Sequence, residues 1–273
     1  MTEKIKLNLS DVQKTLILPL WGRAFESKKE KPLLIDNAAI RIIDQIDFDF
    51  TKAADNLDDL TKIAWIQRSL ISDRVIRQFL AQYPNGTIVN IGCGLDTTFN
   101  RVDNGKLRWY DLDLPDVIEL RKIFIEESER RTCITSSFLD TAWFDQIEVE
   151  SNVIFLSAGV FYFFTEDQIK PFMLQLLDRF PGSELIFDVA SEVGVKLANK
   201  KVIESSGLDE SSYLKWGLKS TDDILSWDSR ISLLGKHTYY KGIKLGLRNS
   251  LMGILSNLLG IQYLLHIKLG EGH

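Results

Sequence analysis

The chain has 273 residues, 45% of them apolar, with 33 basic against 38 acidic side chains and a formal charge of −5. A chain of this size buries a substantial core unaided, and with Cys93 and Cys133 as its only cysteines, far apart in sequence, a disulfide scaffold or a cysteine zinc site is excluded. Mild acidity without a basic run argues against nucleic acid held through its backbone.

The opening MTEKIKLNLSD lacks the continuous apolar core and small-residue cleavage region of a secretory signal, so cytoplasmic residence is the expectation. Residues 10 to 80 read as helices, with Leu16, Leu20, Ala24 and Ser27 at helical spacing and Ile63, Ile66, Leu70, Val75 and Phe79 on a later apolar face. Pro84, Asn85 and Gly86 then punctuate the chain before TIVNIG, a short strand entering a glycine turn. Four more strands are expected at 106 to 113, 132 to 136, 152 to 158 and 184 to 190. Helical crossovers separate them: LPDVIELRKIFIEES after the second strand, and TEDQIKPFMLQLLDRF after the fourth, opened by a Thr165–Gln168 capping box. ISLLGKHTYY and IQYLLHIKL are candidate final strands, antiparallel partners beside the parallel portion.

This rhythm predicts an α/β fold with a mostly parallel sheet and helices on both faces. The expected organisation is an N-terminal helical extension over 1–84 and an α/β core over 85–273, with a cap at 191–226 where the rhythm breaks. The C-terminal LMGILSNLLGIQYLLHIKLG is interrupted by Asn257, Gln262, His266 and Lys268 and falls short of the roughly 20 apolar residues a membrane span needs. It is expected to pack against the protein, and no membrane partner is expected.

The chemistry concentrates in VNIGCGLDTTFNRVDNGKLRWYDLD, residues 89 to 113. Gly92 and Gly94 let a backbone turn approach a ligand, although NIGCGLD is an incomplete dinucleotide fingerprint and an ordinary tight turn is the bland reading. Asp111 and Asp113 close the next strand, where an acid either accepts from ribose hydroxyls or caps the following helix. Asp96, followed by Thr97 and Thr98, has the same two readings.

In order, Lys14 and WGRAFES (21–27), LLIDNAA (33–39), VNIGCGLDTTF (89–99), YDLDLPDV (110–117), SFLD (137–140), AGVFYFF (158–164) and FPGSELIFD (180–188) resemble the leucine carboxyl methyltransferase family, in particular its bacterial branch of small-molecule and polyketide O-methyltransferases. The resemblance covers most of the chain and fades after residue 190. It implies a Rossmann-like class I methyltransferase with a seven-stranded sheet, using S-adenosyl-L-methionine to methylate an oxygen, often that of a carboxylate. It places Gly92, Gly94 and Asp96 around the methionine part of the cofactor, Asp111 or Asp113 near its ribose, and Ser137, Phe138 and Leu139 around its adenine. Lys14 and Arg68 resemble the family's contacts to the cofactor carboxylate, a group an arginine fork binds bidentately; both read otherwise as surface helix charges. The sequence departs from the family at Ser137 and Ala158, positions that are commonly acidic, and the loss at Ala158 weighs against a protein-carboxyl substrate.

Tyr162, just after the fourth strand, is the candidate catalytic residue, a phenol able to orient an acceptor oxygen or simply to pack. Arg23 is either a substrate contact or half of an internal salt bridge. Tyr213, Trp216 and Trp227 either line a substrate pocket or pack the cap. His237, His266 and His273 fall in no nucleophilic constellation and no metal-ligand motif is present. The implied acceptor is a small molecule bearing a carboxylate, already ionised near neutral pH, so that alignment counts for more than a strong base. Methylation of a phenol or alcohol, a nicotinamide oxidoreductase and a noncatalytic binding domain stand as alternatives, and the oligomeric state is open.

Overall fold

The computed structural model describes residues 4–6, 11–50, 58–200, 213–243 and 247–270. Among the described residues three helices come first: α1 (Asp11–Ser27), α2 (Asn37–Gln45) and α3 (Asp59–Gln82). Asp36 starts α2 by accepting from the Ala39 N–H, and Asp58 starts α3 by accepting from Thr61, each satisfying an orphan amide of a first turn. The core then runs β1 (Thr87–Ile91), α4 (Thr98–Val102), β2 (Arg108–Asp113), α5 (Pro115–Phe124), β3 (Arg131–Thr135), β4 (Val153–Ser157), α6 (Glu166–Arg179) and β5 (Ser183–Ala190). Two short helices, α7 (Glu192–Ala198) and α8 (Thr221–Leu225), precede β6 (Ile231–Thr238), α9 (Leu247–Leu258) and β7 (Gln262–Leu269).

All seven strands join one sheet in the order β3-β2-β1-β4-β5-β7-β6. β1 to β5 pair in parallel, whereas β7 is antiparallel to both β5 and β6, as the two C-terminal apolar runs predict. Every residue of β1 and β4 is buried, which is why these strands read as continuous apolar runs rather than alternating ones. Chain order reverses between β1 and β4, and the crevice beyond their carboxyl ends is where such sheets bind ligands.

Each face of the sheet carries a helix layer. Ile71, Val75, Ile76 and Phe79 of α3 pack with Ile88, Trp109, Ile154 and Leu264 on one side, and Ile169, Phe172, Met173 and Leu176 of α6 pack with Val89, Phe155 and Phe187 on the other. α3 is thus a layer of the sheet itself and reaches the ligand edge from below. The Thr165–Gln168 capping box opens α6 as expected, with Pro171 inside that helix. Among the described residues no helix is long and apolar enough to cross a membrane. The C-terminal tail divides: β7 packs into the sheet as expected, but α9 turns its leucines outward, with Leu251, Ile254 and Leu258 at 60%, 63% and 79% exposure, so the expectation of packing fails for that half.

Candidate active site

β1 delivers the chain into a turn that only glycine accommodates easily. Gly92 and Gly94 have φ of +63° and +46°, in the left-handed region that penalises a side chain. A Cβ on Gly92 would also lie 2.4 Å from Cγ2 of Val160, so backbone and neighbour both select glycine there. The turn is tied to β2: the Gly92 and Cys93 amides donate to the Leu112 carbonyl at 2.8 and 3.1 Å, and the Gly94 amide donates to Asp113 Oδ2 at 2.8 Å.

The two acids of β2 have different fates. Asp111 is fully buried and accepts from Asn90 and Trp109 on one oxygen and from Arg121 and Arg131 on the other, at 2.8 to 3.2 Å. It belongs to an internal ion-pair cluster, so the ribose role expected of it is corrected. Asp113 ends the strand partly exposed, its oxygens accepting from the Gly94 and Leu114 amides. Burial raises its pKa, with those two amides opposing the shift.

Asp96 follows the turn and, one residue ahead of the α4 N-cap Thr97, satisfies the first helical amide, accepting from the Thr98 amide at 3.0 Å and from the Thr98 hydroxyl at 3.0 Å. Burial acts to raise its pKa, but Arg23 and Arg101 outweigh it and hold the carboxyl at about 2. The side chain keeps 24% exposure, so capping leaves an accessible carboxylate edge at the turn. Arg23 is 5% exposed; its Nε pairs with Asp36 at 3.0 Å, and Arg101 joins the same Asp36 at 2.6 Å and Asp73 at 2.8 Å. Of its two readings the internal salt bridge is the observed one, and the expected substrate contact is corrected, because a buried guanidinium is spent on its partners.

A second cluster stands at the ends of β4 and β5. Arg68, projecting from α3, pairs through Nη1 with Asp188 Oδ2 at 3.1 Å. The Gly159 amide donates to the other Asp188 oxygen at 2.6 Å, and Gln262 Nε2 reaches Oδ2 at 3.4 Å. A Cβ on Gly159, whose φ is +86°, would lie 2.8 Å from Arg68 Nη1 and 3.3 Å from the Tyr162 hydroxyl, so the guanidinium and the phenol converge on one backbone turn. Burial pushes the Tyr162 pKa up, with Asp188 adding to the shift and Arg68 opposing it. The buried Tyr239 hydroxyl, whose pKa burial also raises, has no hydrogen-bond partner among the described residues. Asp188 and Gln262 were not among the expected site residues; the available signal was an acid inside the apolar strand LIFDVA.

The remaining expectations divide. The Ser137 hydroxyl accepts from the Leu139 amide at 3.3 Å, and both residues are half-buried beside the β3 exit. The Phe138 ring instead enters the core against Phe161, Phe164 and Phe172, so a side-chain role in a pocket is corrected. Trp216 is buried at 5% within the core cluster and stacks on half-buried Trp227 at 5.9 Å, so packing is the observed one of the two readings for Trp216, while Trp227 keeps an accessible face. Tyr213 is half-buried. The amides of Lys215 and Trp216 donate to the Tyr162 carbonyl, tying the cap segment to the candidate catalytic turn. Lys14 lies on α1 with its side chain outside what the structure describes, and the whole of His273 falls outside the described residues; His266 pairs with Glu184 at 2.7 Å, and His237 is half-buried on β6. Neither of two surface concavities, one at the amino end of β4 and one beside Leu33, Arg77 and Arg101, touches the glycine turn; strand-end geometry, not cavity size, locates this site.

The donor set fits a nucleoside carrying an amino-acid end: a side-chain-free turn, a strand-end carboxylate for hydroxyls and a guanidinium for a carboxylate. Comparison with known proteins makes this specific. Residues 17–176 match the model of the leucine carboxyl methyltransferase family. The chain is 27% identical over 183 residues, 67% of each chain, to the tetracenomycin polyketide synthesis O-methyltransferase TcmP of Streptomyces glaucescens. It is 25% identical over 235 residues, 78% of each chain, to the S-adenosyl-L-methionine-dependent methyltransferase dpfgK of Gibberella zeae. A DUF574 family protein from Streptomyces avermitilis shares the fold, with a TM-score of 0.60 over 94% of this chain and 97% of that one at 10% identity. The family match sets aside the nicotinamide and noncatalytic readings. Its span, carrying both the glycine turn of β1 and the Arg68 and Tyr162 turn of β4, makes this chain a member of the leucine carboxyl methyltransferase family and an S-adenosyl-L-methionine-dependent methyltransferase.

Proposed function

We propose that this enzyme methylates a carboxylate oxygen of a small natural-product or polyketide-like acceptor in the cytoplasm. The observation that carries the reading is the convergence of Arg68 and Tyr162 on Gly159, with the phenol's pKa raised by burial. A phenol so shifted stays protonated near neutral pH and can donate a hydrogen bond to an acceptor oxygen, but it makes a poor base. A carboxylate needs no base, since it is ionised well below neutrality, whereas an alcohol would have to lose a proton during attack. The name of the Streptomyces relative, a polyketide synthesis O-methyltransferase, supports the acceptor class.

In this reading Gly92 and Gly94 hold the cofactor's methionyl part through the backbone, Asp96 reaches its ammonium and Asp113 its ribose hydroxyls. Arg68, and Lys14 from the same helical extension, neutralise its carboxylate. Ser137 and Leu139 rim the adenine. The cofactor supplies an electrophilic methyl on a sulfonium, and the acceptor oxygen bonds to that carbon as the carbon–sulfur bond breaks, giving a methyl ester and S-adenosylhomocysteine. Tyr162 orients the acceptor, and the cap over 191–226, anchored on the Tyr162 carbonyl, restricts water. The domain roles follow: 1–84 contributes to the pocket and 85–273 carries the chemistry.

Incubation with S-adenosyl-L-methionine and matched carboxylate and phenol acceptors, read by mass spectrometry, tests the reading. The expected product gains one methyl group and releases methanol in mild alkali. An alkali-stable methyl ether as the sole product would overturn the carboxylate assignment.

A further inference from the structure

Helix α9 is amphipathic in the opposite sense to a core helix. Its described inward positions are Asn249, Ser250, Gly253, Ser256 and Asn257. The Asn257 side chain accepts from the Tyr240 amide and the Ser256 carbonyl accepts from Ile261, so small and polar groups hold the helix to the protein. Leu251, Met252, Ile254, Leu255, Leu258 and Leu259 point outward at 41% to 79% exposure. An isolated exposed leucine needs no explanation, but a contiguous ridge of six marks an interaction surface.

The location and charge of this ridge select its partner. α9 lies in the connection from β6 to β7. Thr238 pairs with Tyr263, and Gln262 pairs with Ala190 at the carboxyl end of β5, so the connection leaves the sheet at the edge that carries Arg68, Asp188 and Tyr162. α7, whose Gly194 lies so close to the Ile261 carbonyl that a Cβ would come within 2.0 Å of it, adds exposed Val193 and Leu197 beside it. From Tyr239 to Ile261, the connection that holds α9, the sequence carries Lys241, Lys244 and Arg248 and no acid, although acids outnumber bases in the whole chain. Lys241, just before the helix, is exposed. The neighbouring acids Asp58 and Asp59 open α3 near Tyr240, whose hydroxyl bonds to the Leu60 carbonyl, and Asp58 is engaged by the Thr61 amide.

We infer that α9 is a peripheral anchor that docks the active-site edge on an anionic lipid bilayer. An aliphatic ridge on a connection that carries three basic residues and no acid has the chemistry of an interfacial helix, which lies in the headgroup plane rather than crossing the bilayer. At twelve residues α9 is far below spanning length, so the docking requires no membrane span. Docking here would admit an apolar acceptor to the site from the lipid phase.

Sedimentation of the full chain with vesicles of phosphatidylcholine alone, and with about one third phosphatidylserine, tests this. The chain should partition at least about tenfold more strongly onto the anionic vesicles, and high salt should weaken that binding. Leu255→Glu with Leu258→Glu should lose at least about tenfold, and Lys241→Gln about fivefold, one basic contact's share at an anionic surface. All three substitutions are at exposed positions, so the far-ultraviolet spectrum and the affinity for S-adenosyl-L-methionine should be unchanged. Equal partition onto both vesicle types, or binding that survives the double glutamate variant, would overturn the inference. So would a dimer in solution that the same variant dissociates, which would make a second copy the occupant.

Discussion

Replacing Gly92 by alanine should impose two separable penalties. The first is conformational: φ at +63° costs a side-chain-bearing residue about 1–2 kcal/mol. The second is steric, since the new Cβ would stand 2.4 Å from Cγ2 and 3.1 Å from Cγ1 of Val160, and overpacking of this kind costs about 1–3 kcal/mol. Gly92→Ala should therefore lose about 2–5 kcal/mol of stability. Val160→Ala removes the two offending methyls, leaving only Val160 Cβ at 3.4 Å, an ordinary contact, and by itself loses about 1 kcal/mol of partly buried surface. The double variant should then be more stable than the sum of the single losses predicts, by about 1–3 kcal/mol, while still showing the conformational penalty. Urea denaturation of the four proteins measures this coupling. Strict additivity would show that Val160 yields freely and that the turn is not braced by the β4 loop.

Three further outcomes follow from the charged groups. Asp113→Asn should weaken S-adenosyl-L-methionine binding about 10- to 100-fold by calorimetry, the loss of charge-assisted hydrogen bonds to hydroxyls, with little change in unfolding midpoint; unchanged affinity would remove Asp113 from the site. Asp111→Asn should act on stability instead, losing about 3–5 kcal/mol because two buried guanidinium groups are left without their anion; a normal denaturation curve would refute the assignment of Asp111 to the scaffold. Asp96, held at about 2 against an ordinary 3.8, contributes about 2 kcal/mol of stability that is present above pH 4 and lost as pH falls through 2. The stability difference between the parent chain and Asp96→Asn should accordingly shrink between those values, and a constant difference would count against the Arg23 and Arg101 pairing.

The sheet was legible because its strands are short apolar runs with turn residues between them: β1, β4 and β5 fall within a residue or so of the positions expected for them. α9 was not, because LMGILSNLLG reads as core when apolarity alone is weighed. Only placement reveals that its leucines face away. At the site, the glycine turn was legible from NIGCG, since its requirement is for the absence of a side chain. Asp111 was misassigned for a complementary reason. YDLD places two acids on one face of a strand, and sequence spacing does not tell which of them meets buried arginines. Arg121 and Arg131, which decide the matter, come from α5 and β3, elsewhere in the chain, and nothing in their local sequence marks them as buried. Trp216 and Trp227 read either as pocket lining or as packing in the cap; burial in the core cluster decides this for Trp216 alone, and Trp227 stacks on it half-buried.

Arg121 also explains why an enzyme would bury an acid so close to its ligand edge. Its guanidinium donates to the Gly94 carbonyl at 2.6 Å, to Asp96 O at 2.9 Å and to Asp111 at 2.8 Å, so one buried cation holds the glycine turn from beneath. Those carbonyls point inward, which leaves the outer face of the turn for a ligand. A positive charge fully removed from water requires an anion beside it, and β2 supplies Asp111 one pleat below Asp113. The inner acid fixes the turn through Arg121; the outer acid receives the Gly94 amide and ends the strand at the crevice. Arg121→Lys should separate these roles. Lysine keeps the charge for Asp111, but a single ammonium cannot serve all three acceptors in the fork geometry. The folded state should survive while S-adenosyl-L-methionine affinity falls at least about tenfold, because the turn loses its preorganisation and must be ordered by the ligand. Full affinity in a folded Arg121→Lys protein would mean that the turn is held by the Leu112 and Asp113 bonds alone.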